Sequence, residues 1–201
     1  SGVGQGIIKS LRISGLPITL IVADIHPLNA AMFRSDERIL IPKVEEPGAL
    51  NNVLKLLKEH AVDVLLVGSE FDLNFFAENK EMIREATGTL VIASDLKTVR
   101  IADDKWLTVR FLEDNGLPFP RSFLPPDLKT CLENAVALRY PCVLKSRFGT
   151  SNRNVHIVTC EKDLEQVFPH TPMPVLQEII AMPSDSLQSE YTCSVFKCSD
   201  G

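Results

Sequence analysis

Short apolar runs alternate with amphipathic stretches along the first half of the chain. Four of the runs are candidate strands, at residues 18–23, 38–41, 62–67 and 89–92. Their nearly continuous apolar character is typical of strands that are buried on both faces of a parallel sheet. Between two of them, Leu50, Val53, Leu54 and Leu57 repeat at the spacing of one helix face. The alternation predicts a doubly wound α/β domain over residues 1 to about 95.

The pattern changes after residue 95. Asp103 and Asp104 precede a helix that contains Trp106 and stops at Gly116, and acidic side chains suit the positive end of a helix dipole. We expect this helix to bridge the first domain and a separate antiparallel sheet, with helices on one face, over residues 120–201.

A hairpin lies at the centre of this second part. An apolar strand at residues 141–146 contains Lys145, and a returning strand follows at 155–158. The connecting loop, residues 147–154, has only one large apolar side chain, Phe148. Its backbone N–H groups can bind phosphates, and the lysine adds a point charge. We therefore expect a phosphate-binding loop that is poorly ordered without a ligand; a plain hairpin loop is the alternative.

Two further strands carry polar groups. Residues 175–180 combine apolar side chains with Gln177 and Glu178, a mixture that suits an aromatic base held by backbone contacts. Residues 190–196 alternate like a half-buried strand and begin with Glu190.

Glycines at positions 2, 4 and 6 open the chain ahead of a helix, and Asp24 closes the next strand. Comparable glycines and acids bind the pyrophosphate and ribose of dinucleotides. The spacing here is not G-x-G-x-x-G, because position 7 is Ile, and the strand that should precede the turn is missing. The main interpretation is a tight strand-to-helix turn, and a dinucleotide site is the alternative.

The composition limits the kinds of function. The 201 residues are 45% apolar with a formal net charge of −5, which argues against a broad nucleic-acid surface, and no apolar run reaches the roughly 18 residues of a membrane helix. The five cysteines form no C-x-x-C pair and the four histidines are scattered, so neither a disulfide framework nor a zinc site is predicted. Because no signal peptide is recognisable, a cytoplasmic location is expected.

Five features, taken in order, resemble the ATP-grasp superfamily. They are Asp104-Lys105, residues 116–120, Lys145 with the loop at 149–151, residues 177–180 and residues 190–192. The resemblance is to the carbamoyl-phosphate-synthase-like branch, which is related to biotin carboxylase and D-alanine–D-alanine ligase. It implies a Rossmann-like pre-ATP-grasp domain at residues 1–95, a linking helix at 96–119 and an α+β first ATP-grasp lobe at 120–201.

The resemblance implies an ATP site, with five residues at the phosphates. Lys105 would reach the phosphates from the linking helix, and Lys145 would contact the α- or β-phosphate. Gly149, Thr150 and Ser151 would lie in a mobile loop that folds over them. Cations and free N–H groups are the groups that bind polyphosphate.

The resemblance places five more residues around the nucleoside. Gln177, Glu178, Ile179 and Ile180 would line the adenine, with Glu178 and the backbone of Ile180 binding its exocyclic amine and ring nitrogen. Glu190 would bind the ribose hydroxyls.

The chain departs from the family's pattern in several places. Ser146 stands where the family usually has proline, the loop is poorer in glycine at residues 152–154, and the spacer at 181–189 is long. The family keeps its Mg²⁺-binding acids and a catalytic arginine in a second lobe, which we expect beyond residue 201. We therefore expect no catalytic or metal-binding residue in this chain, and no catalysis by it alone.

The resemblance implies a function for the parent protein. It would be an ATP-dependent ligase that forms an acyl phosphate from a small carboxylate or bicarbonate, for attack by an amine or similar nucleophile. ATP and Mg²⁺ would be its cofactors, with neither nucleic acid nor membrane as a partner. A non-catalytic ATP-grasp-like interaction module and an NAD-binding oxidoreductase domain are the alternatives.

Overall fold

The computed structural model describes residues 2–149, 154–180 and 195. The chain divides into two units, Ser1–Ala102 and Asp103–Gly201. None of the helices in the described ranges is both long and apolar enough to cross a membrane.

Parallel strands and helices alternate in the first part of the chain. The elements are α1 (Gly2–Ile13), β1 (Ile21–Asp24), β2 (Glu37–Leu40), α2 (Ala49–Glu59), β3 (Val64–Leu66), α3 (Glu70–Thr87), β4 (Leu90–Ile92) and α4 (Leu96–Asp103), with a 3₁₀ turn at Ala30–Arg34. Both β1–β2 and β3–β4 are parallel pairs, which confirms the predicted α/β class. Within the described residues the strands bond as two separate pairs rather than as one continuous sheet.

The largest core of the first unit lies between the β3–β4 pair and two helices. The apolar positions of α2 that repeat at helical spacing face this core, which buries Val53, Leu57, Phe76, Ile83 and Val91. β4 begins one residue later than predicted, because the Thr89 side chain is itself buried and its hydroxyl donates to the Val62 carbonyl oxygen at 2.7 Å.

The interpretation of the opening glycines as a turn is wrong. Gly2, Gly4 and Gly6 lie inside α1, so they form no loop that could hold a pyrophosphate. Gly4 instead allows a close approach: a Cβ on Gly68 would lie 3.1 Å from the Gly4 Cα atom. The carboxylate of Asp24 accepts hydrogen bonds from the His26 backbone N–H and the Asn29 amide, at 2.8 and 2.6 Å. These contacts leave the dinucleotide interpretation without structural support.

An antiparallel sheet forms the second unit, as predicted. The elements are α5 (Lys105–Asp114), β5 (Ser122–Phe123), α6 (Leu128–Leu138), β6 (Cys142–Ser146), β7 (Val155–Val158), α7 (Glu161–Val167) and β8 (Pro174–Glu178), with a 3₁₀ turn at Phe168–His170. The strand order is β5-β8-β6-β7, and every neighbouring pair is antiparallel.

Strand alternation divides the side chains of this sheet between two faces. On the core face, Cys142, Leu144 and Leu176 are fully buried with residues of α6 and α7. The opposite side, which we call the open face, carries Val143, Lys145, Val155, Ile157, Val175 and Gln177. Val175, directly opposite Lys145, is fully buried. Ile157 is 67% exposed there, so an apolar surface surrounds the two polar side chains.

Candidate functional site

Lys145 is the central cation of the open face. Its Nζ donates a hydrogen bond to the Gln177 Oε1 atom at 2.6 Å, and the Gln177 amide donates to the Ser122 Oγ atom at 2.7 Å. This polar chain crosses β6, β8 and β5 and ends at the Pro120 carbonyl oxygen, which accepts from Ser122 at 2.9 Å. Because Gln177 is neutral, it orients the ammonium group without cancelling its charge.

Lys105 supplies a second cation, from the first turn of α5. Its Nζ donates to the Gly149 carbonyl oxygen at 2.7 Å, and its backbone N–H donates to the Arg147 carbonyl oxygen at 3.1 Å. Burial lowers the pKa of Lys145, and the charge of Lys105 lowers it further. The ammonium groups of these lysines are therefore close enough to repel each other. Among the described residues, no carboxylate forms an ion pair with either one.

An ion pair between Asp104 and Arg147 joins the start of α5 to the end of β6. The Arg147 Nε lies 2.8 and 2.9 Å from the two carboxylate oxygens, and one of its terminal nitrogens lies 2.6 Å from Oδ2. Asp104 is also the N-cap of α5, accepting from the backbone N–H groups of Trp106 and Leu107 at 2.9 and 3.2 Å. Burial alone would raise the pKa of Asp104, but the hydrogen bonds from Arg147 and from the helix N–H groups hold it below its usual value.

One member of this pair, Asp104, has a recognisable sequence signal. An aspartate directly before a helix is a typical N-cap, although the acids were interpreted only through the helix dipole. Nothing in the sequence pattern linked Asp104 to Arg147, which is 43 positions away.

The beginning of the hairpin loop is held by polar contacts. The Arg147 backbone N–H donates to the Met173 carbonyl oxygen at 3.0 Å, and the Gly149 carbonyl oxygen accepts from Lys105. Gly149 has a φ of 98°, which a side chain would disfavour. The prediction that the loop at residues 147–154 is poorly ordered without a ligand stays a prediction, because residues 150–153 lie outside the described residues. Thr150, Ser151 and Glu190 lie outside the described residues.

Ser146, the residue that replaces the family's usual proline, closes the hairpin. Its backbone N–H donates to the Asn154 carbonyl oxygen at 3.1 Å, which proline could not do. Its hydroxyl is buried and has no hydrogen-bond partner within the described ranges.

Glu178 does not present its carboxylate to the open face. It pairs with Cys142 across the sheet and therefore lies on the core face, opposite to Gln177. Its carboxylate accepts from the Arg121 backbone N–H at 2.7 Å and from the Arg121 Nε at 2.9 Å, and these bonds lower its pKa. The assignment of Glu178 to the adenine amine stays a prediction, and the backbone of Glu178 is the group that remains for it. Strand alternation indicates the face of the Glu178 side chain, because neighbouring strand residues face opposite sides.

Ile179 and Ile180 follow β8 directly. The Ile180 side chain is 64% exposed and that of Ile179 is 37% exposed, so both remain available to a ligand. Within the described residues no group of three or more His, Cys, Asp and Glu side chains could hold a metal ion.

Comparisons with protein families match each half of the chain. Residues 5–92 match the N-terminal domain of PylC-like proteins, and residues 102–190 match the ATP-grasp domain. The carbamoyl phosphate synthase large chain of Thermotoga neapolitana is 24% identical over 167 residues, which are 82% of this chain and 15% of that protein.

Solved structures resemble the fold of the chain. N5-carboxyaminoimidazole synthetase from Staphylococcus aureus, complexed with ADP, aligns with a TM-score of 0.70 and 18% identity over 90% of this chain and 46% of that chain. The biotin carboxylase domain of Hydrogenobacter thermophilus 2-oxoglutarate carboxylase, in complex with MgADP, ADP and bicarbonate, aligns with a TM-score of 0.64 and 19% identity, covering 89% and 42% of the two chains. The chain thus spans less than half the length of each of these proteins.

Proposed function

We propose that the second unit binds the phosphates of ATP through Lys105 and Lys145. Residues 102–190 match the ATP-grasp domain, and the chain is similar to the carbamoyl phosphate synthase large chain. The observation that carries the proposal is that both ammonium groups donate to neutral acceptors and, within the described part of the chain, to no carboxylate: Lys105 donates to the Gly149 carbonyl and Lys145 to the Gln177 amide oxygen. Phosphate oxygens compete well for such donors, since charge-assisted hydrogen bonds are roughly twice as strong as neutral ones.

The beginning of the hairpin loop supports the same assignment. The Gly149 carbonyl oxygen accepts from Lys105, and the positive φ of Gly149 favours a residue without a side chain. We assign Gly149, Thr150 and Ser151 to the phosphates on the strength of the family resemblance, with the loop backbone supplying N–H donors.

We assign the adenine to the end of β8. The exposed side chains of Ile179 and Ile180 offer apolar contact, and Gln177, two residues before Ile179, binds the Lys145 ammonium group. Since the Glu178 carboxylate is bound by Arg121, we assign the exocyclic amine to the backbone of Glu178 and the ring nitrogen to the backbone of Ile180. Glu190 remains our assignment for the ribose.

The relatives indicate the kind of reaction that the whole protein would perform. An oxygen of a carboxylate or bicarbonate would attack the γ-phosphorus of ATP, and ADP would leave. An amine or similar nucleophile would then attack the acyl carbon of the acyl phosphate and displace inorganic phosphate. Mg²⁺ would neutralise charge on the phosphates, and the described residues include no ligand set for it. The role of this chain would be to bind and orient ATP.

Binding measurements on single-lysine variants test the proposal. In a protein that contains this chain and an ATP-grasp second lobe, Lys145→Ala should weaken ATP binding by about 1.5–3 kcal/mol, the value of a lost charged hydrogen bond. Lys105→Ala should weaken it in the same direction. Lys162→Ala, which removes an exposed lysine from α7 of the same unit, is the matched control and should leave the affinity unchanged. Equal ATP affinities for all of these proteins in calorimetry would refute the assignment.

A further inference from the structure

The buried carboxylate of Asp104 does more than cap a helix. Asp104 is 3% exposed and is bound by Arg147 through three short contacts, in addition to its two bonds to the helix N–H groups. A neutral asparagine caps a helix about as well as aspartate does. Burying a charge has a desolvation cost that a neutral cap avoids. The charge of Asp104 is therefore explained by Arg147 and not by capping.

The pair fixes the residues on either side of it. Lys105 directly follows Asp104, and its backbone N–H and its ammonium group both donate to the chain segment that begins at Arg147. On the other side, the Arg147 backbone N–H donates to the Met173 carbonyl oxygen. The ion pair thus lies at the centre of the contacts that hold α5 against the first residues of the hairpin loop.

We propose that Asp104 and Arg147 are positioning residues for phosphate binding: their ion pair holds the Lys105 ammonium beside Gly149 and near Lys145, where a polyphosphate can contact both lysines. This inference rests on the proposed function. The inference adds that phosphate binding requires the negative charge of Asp104, although this charge lies close to the bound anion.

Removing the negative charge of Asp104 distinguishes a positioning role from a purely electrostatic effect on the bound anion. Asp104→Asn keeps an N-cap but removes a negative charge from the neighbourhood of the phosphates. Attraction alone predicts that this variant binds polyphosphate more tightly. A positioning role predicts the opposite, because Lys105 is no longer held in place.

The test is a titration of the chain with inorganic triphosphate and with ATP, followed by NMR. We expect Asp104→Asn to lower the affinity for triphosphate and the affinity for ATP by at least about fivefold. This change lies within the range of coupling between contacting residues. The matched control is Asp127→Asn, which changes the N-cap of α6 in the same unit and also removes one negative charge. It should change neither affinity. The titrations are run well below the melting temperature of each variant, so a loss of stability alone leaves the affinity unchanged.

Two results would overturn the positioning role. One is an Asp104→Asn affinity equal to or tighter than that of Asp127→Asn. If Asp104→Asn does not fold, Arg147→Lys decides the question, because it keeps the positive charge and loses the two-pronged contact with the carboxylate. Its triphosphate affinity should fall, and an unchanged value would overturn the role.

The proposed function fails in a different way. The protein used to test the site is the one that contains this chain and an ATP-grasp second lobe. If Lys145→Ala and Lys105→Ala bind triphosphate there as the unmodified protein does, or if that protein binds none, the phosphate site itself is wrong and the positioning role falls with it. If the lysine variants bind weakly while Asp104→Asn does not, only the positioning role is wrong.

Discussion

Lys145 is a cation in surroundings that disfavour its charge. Burial lowers its pKa from the ordinary 10.5, and the charge of Lys105 adds to the effect. Between the lowered value and that of the unfolded chain, the unfolded state binds more protons, so the free energy of unfolding rises as the pH increases through this window. Phosphate binding changes in the opposite direction, because deprotonated Lys145 no longer attracts an anion.

The repulsion between the two lysines gives a prediction. Replacing Lys105 by Met should raise the pKa of Lys145 toward 10.5 without fully restoring it, since burial remains the larger cause. An NMR-detected pH titration of the Lys145 side chain measures this change, with Lys162→Met as the control. A Lys145 pKa that stays the same in Lys105→Met would show that the two ammonium groups are too far apart to share a phosphate chain.

At the scale of elements, α1 lies against the turn after β3. Gly4 and Gly68 make this approach possible, since a Cβ on Gly68 would lie 3.1 Å from the Gly4 Cα atom. Of the glycines in α1, Gly4 is therefore needed for packing. A Cβ added to Gly6, on the same helix, would have no atom within 4 Å.

A pair of glycine substitutions tests this packing. Gly68→Ala should lower the free energy of unfolding by about 1–3 kcal/mol, as overpacking does. Gly6→Ala should raise it by about 0.5–1 kcal/mol, because alanine is the better helix former. Denaturant unfolding of the two variants measures both. The packing account is wrong if Gly68→Ala is as stable as the unmodified chain.

The helices and strands that depend on local sequence patterns were predictable from the sequence. Apolar runs indicated the parallel strands, and a lysine-ended strand followed by a polar loop indicated the β6–β7 hairpin. The Asp104–Arg147 pair was not predictable, because it joins residues brought together only by the folded sheet. The face of Glu178 was predictable from strand alternation, because Glu178 directly follows Gln177 in β8.

At the scale of the whole molecule, the proposed site would contact a nucleotide from one side. The chain covers 15% of the carbamoyl phosphate synthase large chain and 46% of an ADP-bound structural relative. A competent site normally buries 70–90% of its ligand. We therefore expect the chain by itself to bind ATP no more tightly than about 1 mM, or about −4 kcal/mol.

The central claim is that Lys105 and Lys145 contact the phosphates of a bound nucleotide. The most direct test is to follow the side-chain NMR signals of lysines in the labelled chain as ATP is added. The signals of Lys105 and Lys145 should shift along one saturation curve, inorganic triphosphate should reproduce the shifts, and the signal of Lys162 should stay in place. Saturable binding of ATP that leaves the signals of Lys105 and Lys145 unmoved would contradict the account.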